Sequence, residues 1–258
     1  MIQLGRYQVL LIEDLVYHKE MSNYKGQFHG MDIPDHRYHT RNAPTGWWKD
    51  HPVQDFDYSF NSWGFRGPEY DQYVGQPVIL CMGDSNTVNL GGPIEDSWAS
   101  QLDKLTELPC INLGMDGAGN DAIKLCYDRA YKLFDVQETF VMYSYIHRRL
   151  IDKEFTHYVR KGFVPTLAGK TRFKEPPPAT DLQNFEHFLV NRIPDAYESF
   201  IPEWCYTEEE LGFINDFPHF PYPEGKQDKW SGRDFHHINA ELNKQIAEYF
   251  YELSSTNT

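Results

Sequence analysis

The sequence has few cysteines, no excess of positive charge and no long apolar run. Among its 258 residues are four cysteines, and no two of them form a Cys-x-x-Cys pair. Neither a zinc site nor a redox motif is therefore indicated, and we expect no metal and no organic cofactor. The net charge of −14 repels a phosphate backbone, which disfavours nucleic acid as a partner.

Targeting signals are also missing. No apolar run approaches the roughly 20 residues that cross a membrane as a helix. The N-terminal sequence MIQLGRYQVLLIEDLVYH lacks the basic start and the small-residue cleavage site of a signal peptide. We therefore expect no membrane partner and a cytoplasmic protein, kept in a reducing compartment.

The chain does contain enough apolar residues for a packed core, at 40% of the sequence. Short apolar runs predict strands over Val78–Met82, Cys110–Leu113 and Thr139–Tyr145. Apolar residues at helical spacing lie between these runs, and they are Trp98, Leu102 and Leu105, then Ile123, Tyr127, Ala130 and Phe134. This alternation predicts a parallel sheet in a three-layer α/β/α sandwich with flavodoxin-like winding.

The remaining segments complete the predicted organisation. Residues 1–76 are rich in aromatics and turn residues, and we interpret them as an arm that wraps an α/β domain over residues 77–258. An insertion at about 147–230 is expected to cover or border the site. Within it, 181–192 is a predicted helix, and FVPTL and SFIPE are weak strand candidates. The spacing of apolar residues predicts a last helix over His237–Leu253.

The stretch VILCMGDSNT places a serine directly after the first predicted strand. In parallel α/β sheets, ligands bind beyond the carboxyl ends of the strands. Ser85 lies there, and so do the loop Gly114–Gly119 and the cluster His147-Arg148-Arg149. The three strand ends are therefore expected to bring a serine, a glycine-rich loop and basic side chains to one edge of the sheet.

A serine nucleophile needs a base, and the segment GRDFHHINAEL offers one. Asp234 precedes His237 by three residues, a spacing that puts both side chains on one face of a helical turn. An acid so placed fixes the orientation of an imidazole and stabilises its charged form. His236 is an alternative base, and only its spacing from Asp234 disfavours it.

Four motifs together resemble the SGNH, or GDSL-type, esterase and lipase superfamily. They are Gly83-Asp84-Ser85, INLGMDGAGN (111–120), Asp234-x-x-His237 and the upstream NSWGFRGPE (61–69), the last of these similar to a segment of bacterial and phage members. The resemblance covers about residues 58–145 and 230–253. It implies a soluble hydrolase that is cytoplasmic or phage-associated and acts on a small-molecule or glycan ester.

The resemblance also implies roles for individual residues. Ser85 would be the nucleophile, His237 the base that takes its proton, and Asp234 the group that orients His237. The backbone N–H groups of Ser85 and Gly117 would form the oxyanion hole. Asp84 would hold the turn without reacting.

One part of the family pattern is missing. The family carries Gly-x-Asn-Asp after the third strand, and its Asn donates a hydrogen bond to the oxyanion. Here the segment is MYSYIHRR (142–149), so that Ile146 takes the Asn position and His147 the Asp position. Loss of such a donor costs on the order of 10²–10³ in rate. The candidate replacements are His147, Arg148, Asn86 and Asn120.

Each candidate also has a structural interpretation. Ser85 could be a turn residue, Gly117 a loop glycine, and Asn120 or Asp121 a helix cap. His147, Arg148 and Arg149 could form an ion-pair cluster with exposed arginines, or a site for a carboxylate or sugar hydroxyls.

The sequence therefore predicts a serine hydrolase that cleaves carboxylic esters through an acyl-enzyme, with O-acetyl groups on a carbohydrate as the favoured substrate. The alternative is a catalytically weakened module of the same fold that binds glycan or serves a structural role in a viral particle. A transferase that uses the same acyl-enzyme is a third hypothesis.

Overall fold

The computed structural model describes residues 22–26, 56–151, 155–158, 179–223, 230, 232 and 237–256. Its strands are β1 (Lys25–Gly26), β2 (Tyr58–Ser59), β3 (Pro77–Gly83), β4 (Cys110–Gly114), β5 (Asp135–Tyr143), β6 (Arg148–Ile151), β7 (Phe155–Tyr158) and β8 (Tyr197–Phe200). Its α-helices are α1 (Ser85–Val88), α2 (Trp98–Asp103), α3 (Asn120–Leu133), α4 (Asp181–Val190), α5 (Glu208–Ile214) and α6 (Ala240–Ser255).

A parallel sheet of four strands in the order β4-β3-β5-β8 forms the centre of the part that the structure describes. Two antiparallel pairs, β1 with β2 and β6 with β7, lie outside it. The next strand along the chain, β4, pairs with one edge of β3, and the strand after it, β5, pairs with the opposite edge of β3. Because the connections diverge beside β3, the carboxyl end of β3 is where a ligand site is expected.

Helices cover both faces of this sheet. On one face, α3, α4 and α5 pack on alternate residues of β3 such as Leu80 and Met82. On the other face, α2 and α6 pack on Ile79 and Cys81. The alternation follows from the two-residue period of a strand, and the result is a mixed α/β fold with a sheet between two helical layers.

Most of the predicted elements are confirmed. The strands β3 and β4 and the helices α2, α3 and α4 lie where the apolar pattern placed them. The third strand spans Asp135–Tyr143, so it begins and ends earlier than predicted. SFIPE overlaps β8 only in part, because the strand is Tyr197–Phe200. FVPTL lies outside the described residues.

The prediction that the last helix begins at His237 is wrong. The helix begins at Ala240, and the side chain of Asn239 caps it by accepting a hydrogen bond from the Leu242 N–H at 3.0 Å. Asparagine is among the strongest N-cap residues, so the chain turns into the helix only there. His237 therefore precedes the helix, so its spacing from Asp234 is not evidence that the two side chains share a helical face.

Residues 56–76 of the N-terminal region, which include β2, pack on the sheet domain. Arg66 is buried, and its guanidinium donates to the carbonyls of Val88 and Asn89 and, at 2.8 Å, of Gly92. Tyr58 accepts a hydrogen bond from the Gly91 N–H at 2.8 Å. This segment thus satisfies the carbonyl groups at the end of α1, which would otherwise have no partner inside the helix.

Within the described ranges, no helix combines the length and the apolar character that a membrane crossing requires.

Candidate active site

Ser85 lies at the carboxyl end of the central strand β3, as the first residue of α1. Gly83, the last residue of β3, has no room for a side chain, because a Cβ atom there would lie 2.9 Å from the Met142 carbonyl oxygen and against Thr87. Glycine therefore allows the turn to pass close to β5. The turn leaves Ser85 with 7% of its surface exposed.

Asp84 fixes this turn through both of its carboxylate oxygens. Oδ1 accepts the backbone N–H of Asn86 at 2.9 Å and the Asn86 side-chain amide at 3.2 Å. Oδ2 accepts the hydroxyl of Ser144 at 2.7 Å and lies 3.4 Å from the Arg148 guanidinium. Asp84 is fully buried, so these contacts replace the water that a carboxylate requires. They support its predicted role of holding the turn.

The loop after β4 lies beside this turn. The N–H of Met115 donates to the Gly83 carbonyl at 3.0 Å, and the Asn112 side chain donates to the Thr87 carbonyl at 2.9 Å. Gly117 has a φ of +76°, a conformation that favours glycine. Neither the N–H of Ser85 nor that of Gly117 donates a hydrogen bond to any residue that the structure describes. Both are therefore available as donors.

Asn120 does not cap α3, so that prediction is wrong. The N-cap is Gly119, and no side chain caps this helix. The Asn120 amide instead binds the main chain after β5, accepting from the Ser144 N–H at 2.8 Å and donating to the Ser144 carbonyl at 3.1 Å. The side chain thus positions the end of β5.

The residue that aligns with the oxyanion asparagine of the SGNH pattern is part of the core. Ile146 is buried and packs in the cluster formed by α3 and one face of the sheet. An isoleucine side chain has no hydrogen-bond donor. Any replacement for the missing donor must therefore come from a neighbouring residue.

His147 lies in a buried pair with a glutamate of α5. Its Nδ1 is 2.6 Å from Oε1 of Glu210, and both side chains are buried. The other Glu210 oxygen accepts from Thr207 and so caps α5. The run 208–210 forms the first turn of α5, and Glu210 is buried there. His147 therefore connects the end of β5 to α5.

Arg148 is buried, so the prediction of an exposed arginine is wrong for this residue. It is 6% exposed, and its Nη1 lies 3.4 Å from Asp84 Oδ2, 3.1 Å from Ser144 Oγ and 3.1 Å from the Ala118 carbonyl oxygen. The side chain remains inside because Asp84 supplies the opposite charge. Arg149 points elsewhere and bonds Gln183 and Asn184 of α4.

The segment that contains His237 lies next to the loop that follows α1. A Cβ atom on Gly232 would lie 3.0 Å from the Gly91 carbonyl oxygen, and the Gly232 N–H donates to the His237 carbonyl at 2.6 Å. His237 is buried. The His237 segment thus lies beside Gly91, six residues after Ser85, and no hydrogen bond of Ser85 Oγ is found within the described ranges. Asp234 and the alternative base His236 lie outside them.

Buried asparagines join these two segments. Asn243 of α6 donates to Asn89 Oδ1 at 3.0 Å and accepts the Trp98 N–H at 2.9 Å. Asn89 follows α1 directly and has a φ of +60°. Neither residue is predicted from the sequence. A buried polar residue in the apolar stripe of the last helix is the signal that would have pointed to Asn243.

The cysteines near the sheet are poor alternatives to Ser85. Burial raises the pKa of the Cys205 thiol to about 12, and it also raises the pKa values of Cys81 and Cys126. A thiol reacts as its thiolate, and these groups stay protonated near neutral pH.

Residues after β8 border the site. The Tyr206 hydroxyl donates to the Ser144 carbonyl at 3.2 Å, and its ring lies 6.1 Å from that of Tyr145. The guanidinium of Arg148 lies 4.7 Å from the centre of the Tyr145 ring. These contacts place part of the predicted insertion against the end of β5. Across the residues that can be described, no group of three or more His, Cys, Asp or Glu side chains is placed to hold a metal ion.

A family model described as a domain of unknown function, DUF6473, matches residues 49–130. This range contains the Arg66 loop, β3, Ser85 and Gly117, and it ends before the segment with His237. No curated protein matches the sequence.

Proposed function

We propose that this protein is a serine hydrolase that cleaves carboxylic esters, with Ser85 as the nucleophile. The observation that carries the proposal is the position of Ser85 at the carboxyl end of the central strand, where its own N–H and that of Gly117 have no acceptor among the described residues. A nucleophile beside two available backbone donors is the arrangement that acyl transfer requires.

The topology supports membership in the SGNH superfamily as part of this proposal. Counted along the chain, the strands of the parallel sheet have the order 2-1-3-4, which is that of flavodoxin-like winding. Ser85 follows the first of these strands and Gly117 the second, as in the motif order of that family. The proposed fold is therefore an SGNH-type three-layer sandwich.

In the proposed reaction, Ser85 Oγ attacks the ester carbonyl carbon while His237 takes the hydroxyl proton. The carbonyl oxygen becomes an oxyanion, to which the N–H groups of Ser85 and Gly117 donate. The intermediate collapses, the alkoxide leaves with the proton from His237, and the acyl group remains on Ser85. Water then attacks this ester with His237 as the base, which releases the carboxylic acid and restores the serine. Asp234 orients His237 in this scheme.

We propose a carbohydrate O-acetyl group as the substrate. Ser85 is almost fully buried, which favours a short acyl group over a long one. The rings of Tyr145 and Tyr206, which are half-buried beside the site, offer an aromatic surface for a sugar ring.

Hydrolysis of a chromogenic acetate tests the proposal. The wild type is expected to turn over and the Ser85→Ala variant to lose at least about 10³ of its kcat, because the nucleophile is absent. Ser59→Ala, which changes an exposed serine of β2, is the matched control and should keep full activity. Equal rates for wild type and Ser85→Ala would contradict the proposal.

The second candidate is a module that binds glycan, or is part of a viral particle, without turnover. The buried Ile146 favours it, because the donor of the related hydrolases is absent at that position. Binding of an acetylated oligosaccharide by both wild type and Ser85→Ala, with no acetate released by either, would select this candidate.

A further inference from the structure

One side chain connects the two segments that carry the proposed oxyanion donors. Nη1 of Arg148 contacts Asp84, which immediately precedes Ser85, and the carbonyl of Ala118, which immediately follows Gly117. It also contacts the hydroxyl of Ser144, directly after β5. A single guanidinium nitrogen thus lies within 3.4 Å of the turn after β3, the loop after β4 and the end of β5.

The other candidates for the missing asparagine do not make this connection. The amide of Asn120 binds the main chain of Ser144. His147 binds Glu210 on its Nδ1 side. The Asn86 amide binds Asp84, within its own turn. Of these side chains, the guanidinium is the one that bridges the two donor-carrying segments.

The chemistry of arginine suits this position. A guanidinium is planar and stays charged, and it presents several N–H groups in fixed directions. Burying it is costly unless an opposite charge and further hydrogen bonds compensate, and Asp84, Ala118 and Ser144 supply these. The Tyr145 ring contacts the guanidinium as well. A buried pair of this kind adds little stability compared with apolar packing, whereas it fixes the geometry of the groups it joins.

We propose that Arg148 is a positioning residue that holds the N–H groups of Ser85 and Gly117 at the spacing an oxyanion requires, in place of the asparagine that the sequence lacks. It acts through Asp84 and the Ala118 carbonyl. This inference rests on the proposed function of Ser85. Because the donors act in the transition state, loss of Arg148 lowers kcat and leaves KM nearly unchanged.

The test uses the full chain with Arg148→Met, Arg148→Lys and the matched control Arg149→Met. Arg149 is the next residue, but it bonds α4 and contacts neither donor segment. Turnover of a chromogenic acetate gives kcat and KM, and a fluorophosphonate probe gives the maximal inactivation rate and the probe affinity. Circular dichroism and thermal unfolding report whether each variant is folded.

For Arg148→Met we expect kcat and the maximal inactivation rate to fall about 10²-fold, the loss that a misplacement of about 1 Å produces, with KM within about threefold of wild type. Arg148→Lys keeps the charge and should recover part of the rate. Arg149→Met should match the wild type.

A folded Arg148→Met with wild-type kcat, or an equal loss in Arg149→Met, would overturn the inference while leaving the proposed function intact. If Arg148→Met does not fold, Arg148→Lys decides, because it keeps the charge beside Asp84 but lacks the planar guanidinium that contacts the three segments. A fall of about three- to tenfold in kcat is then expected, and an unchanged kcat overturns the inference. A wild type that neither turns over nor reacts with the probe overturns the proposed function, and this inference with it.

Discussion

The faces of the sheet and the edge at its carboxyl ends are both buried, but they are built from different residues. The faces are filled by apolar side chains such as Leu80 and Phe250. The edge buries polar groups instead, among them Asp84, Ser144 and Arg148. Apolar burial is non-directional and stabilises the fold, whereas charge pairs and hydrogen bonds fix distances at a cost in desolvation. Substitutions in the two regions should therefore differ in what they change.

The largest effect on stability is expected at the face. Phe250 is fully buried on α6, with its ring centre 5.1 Å from that of Trp98 and 5.3 Å from that of Phe140. Phe250→Ala should lower the free energy of unfolding by about 3–5 kcal/mol through lost burial and the cavity it leaves. Chemical denaturation measures this change, and the probe reaction at Ser85 should proceed at the wild-type rate in the folded fraction.

Tyr251→Ala is the control, since this neighbouring side chain is exposed. It should change stability by less than about 0.5 kcal/mol. A Phe250→Ala variant that keeps its stability but loses reactivity at Ser85 would contradict the view that side chains on the faces of the sheet stabilise the fold without shaping the site.

An intermediate effect is expected at Asn243, which joins α6 to the residue after α1. Asn243→Ala removes its bonds to Asn89 and to the Trp98 N–H, and the buried groups left without partners should cost about 1–3 kcal/mol. Because these bonds connect the His237 and Ser85 segments, the reaction of Ser85 with the probe should also become slower. Denaturation and probe kinetics on one preparation separate the two changes.

Lys244→Ala, an exposed change on the same helix, should leave both quantities unchanged. If Asn243→Ala were to alter stability alone, Asn243 would belong with the face of the sheet and not with its polar edge.

The smallest effect is expected at Glu138 of β5. Burial raises the pKa of this carboxyl, and its Oε2 has no hydrogen-bond partner in the described part of the chain. The folded state therefore binds the proton more tightly than the unfolded state, and stability falls as the pH rises through the raised pKa. Glu138→Gln should remove this loss. Thermal unfolding of wild type and variant from pH 4 to pH 8 measures this pH dependence. Parallel plots of melting temperature against pH for the two proteins would contradict the prediction.

The sequence predicted the elements whose stability is mainly local or apolar. Short apolar runs identified β3 and β4, and the spacing of apolar residues from Trp98 onward identified α2. The strand β8 was identified only in part because it contains Glu198, which is buried with the help of Arg192. Such a pair depends on tertiary contacts, which no local pattern reports.

The residues of the candidate site were predictable only in part, as were the elements of the fold. The positions of Ser85 and of the loop Gly114–Gly119 follow from the ends of two strands, whereas the role of Gly117 is implied only by the family resemblance. Arg148 was expected at the surface because arginine is rarely buried, and only the position of Asp84 explains why it is inside. The last helix was extended to His237 because Ile238 continues the apolar spacing, whereas the cap at Asn239 fixes the actual start.

The most direct test of the central claim is to locate the adduct of a fluorophosphonate probe by peptide mass spectrometry. We expect a single adduct on Ser85, absent after unfolding of the protein and absent in Ser85→Ala. An adduct on another residue, or labelling that persists in Ser85→Ala, would contradict the claim that the end of β3 carries the nucleophile.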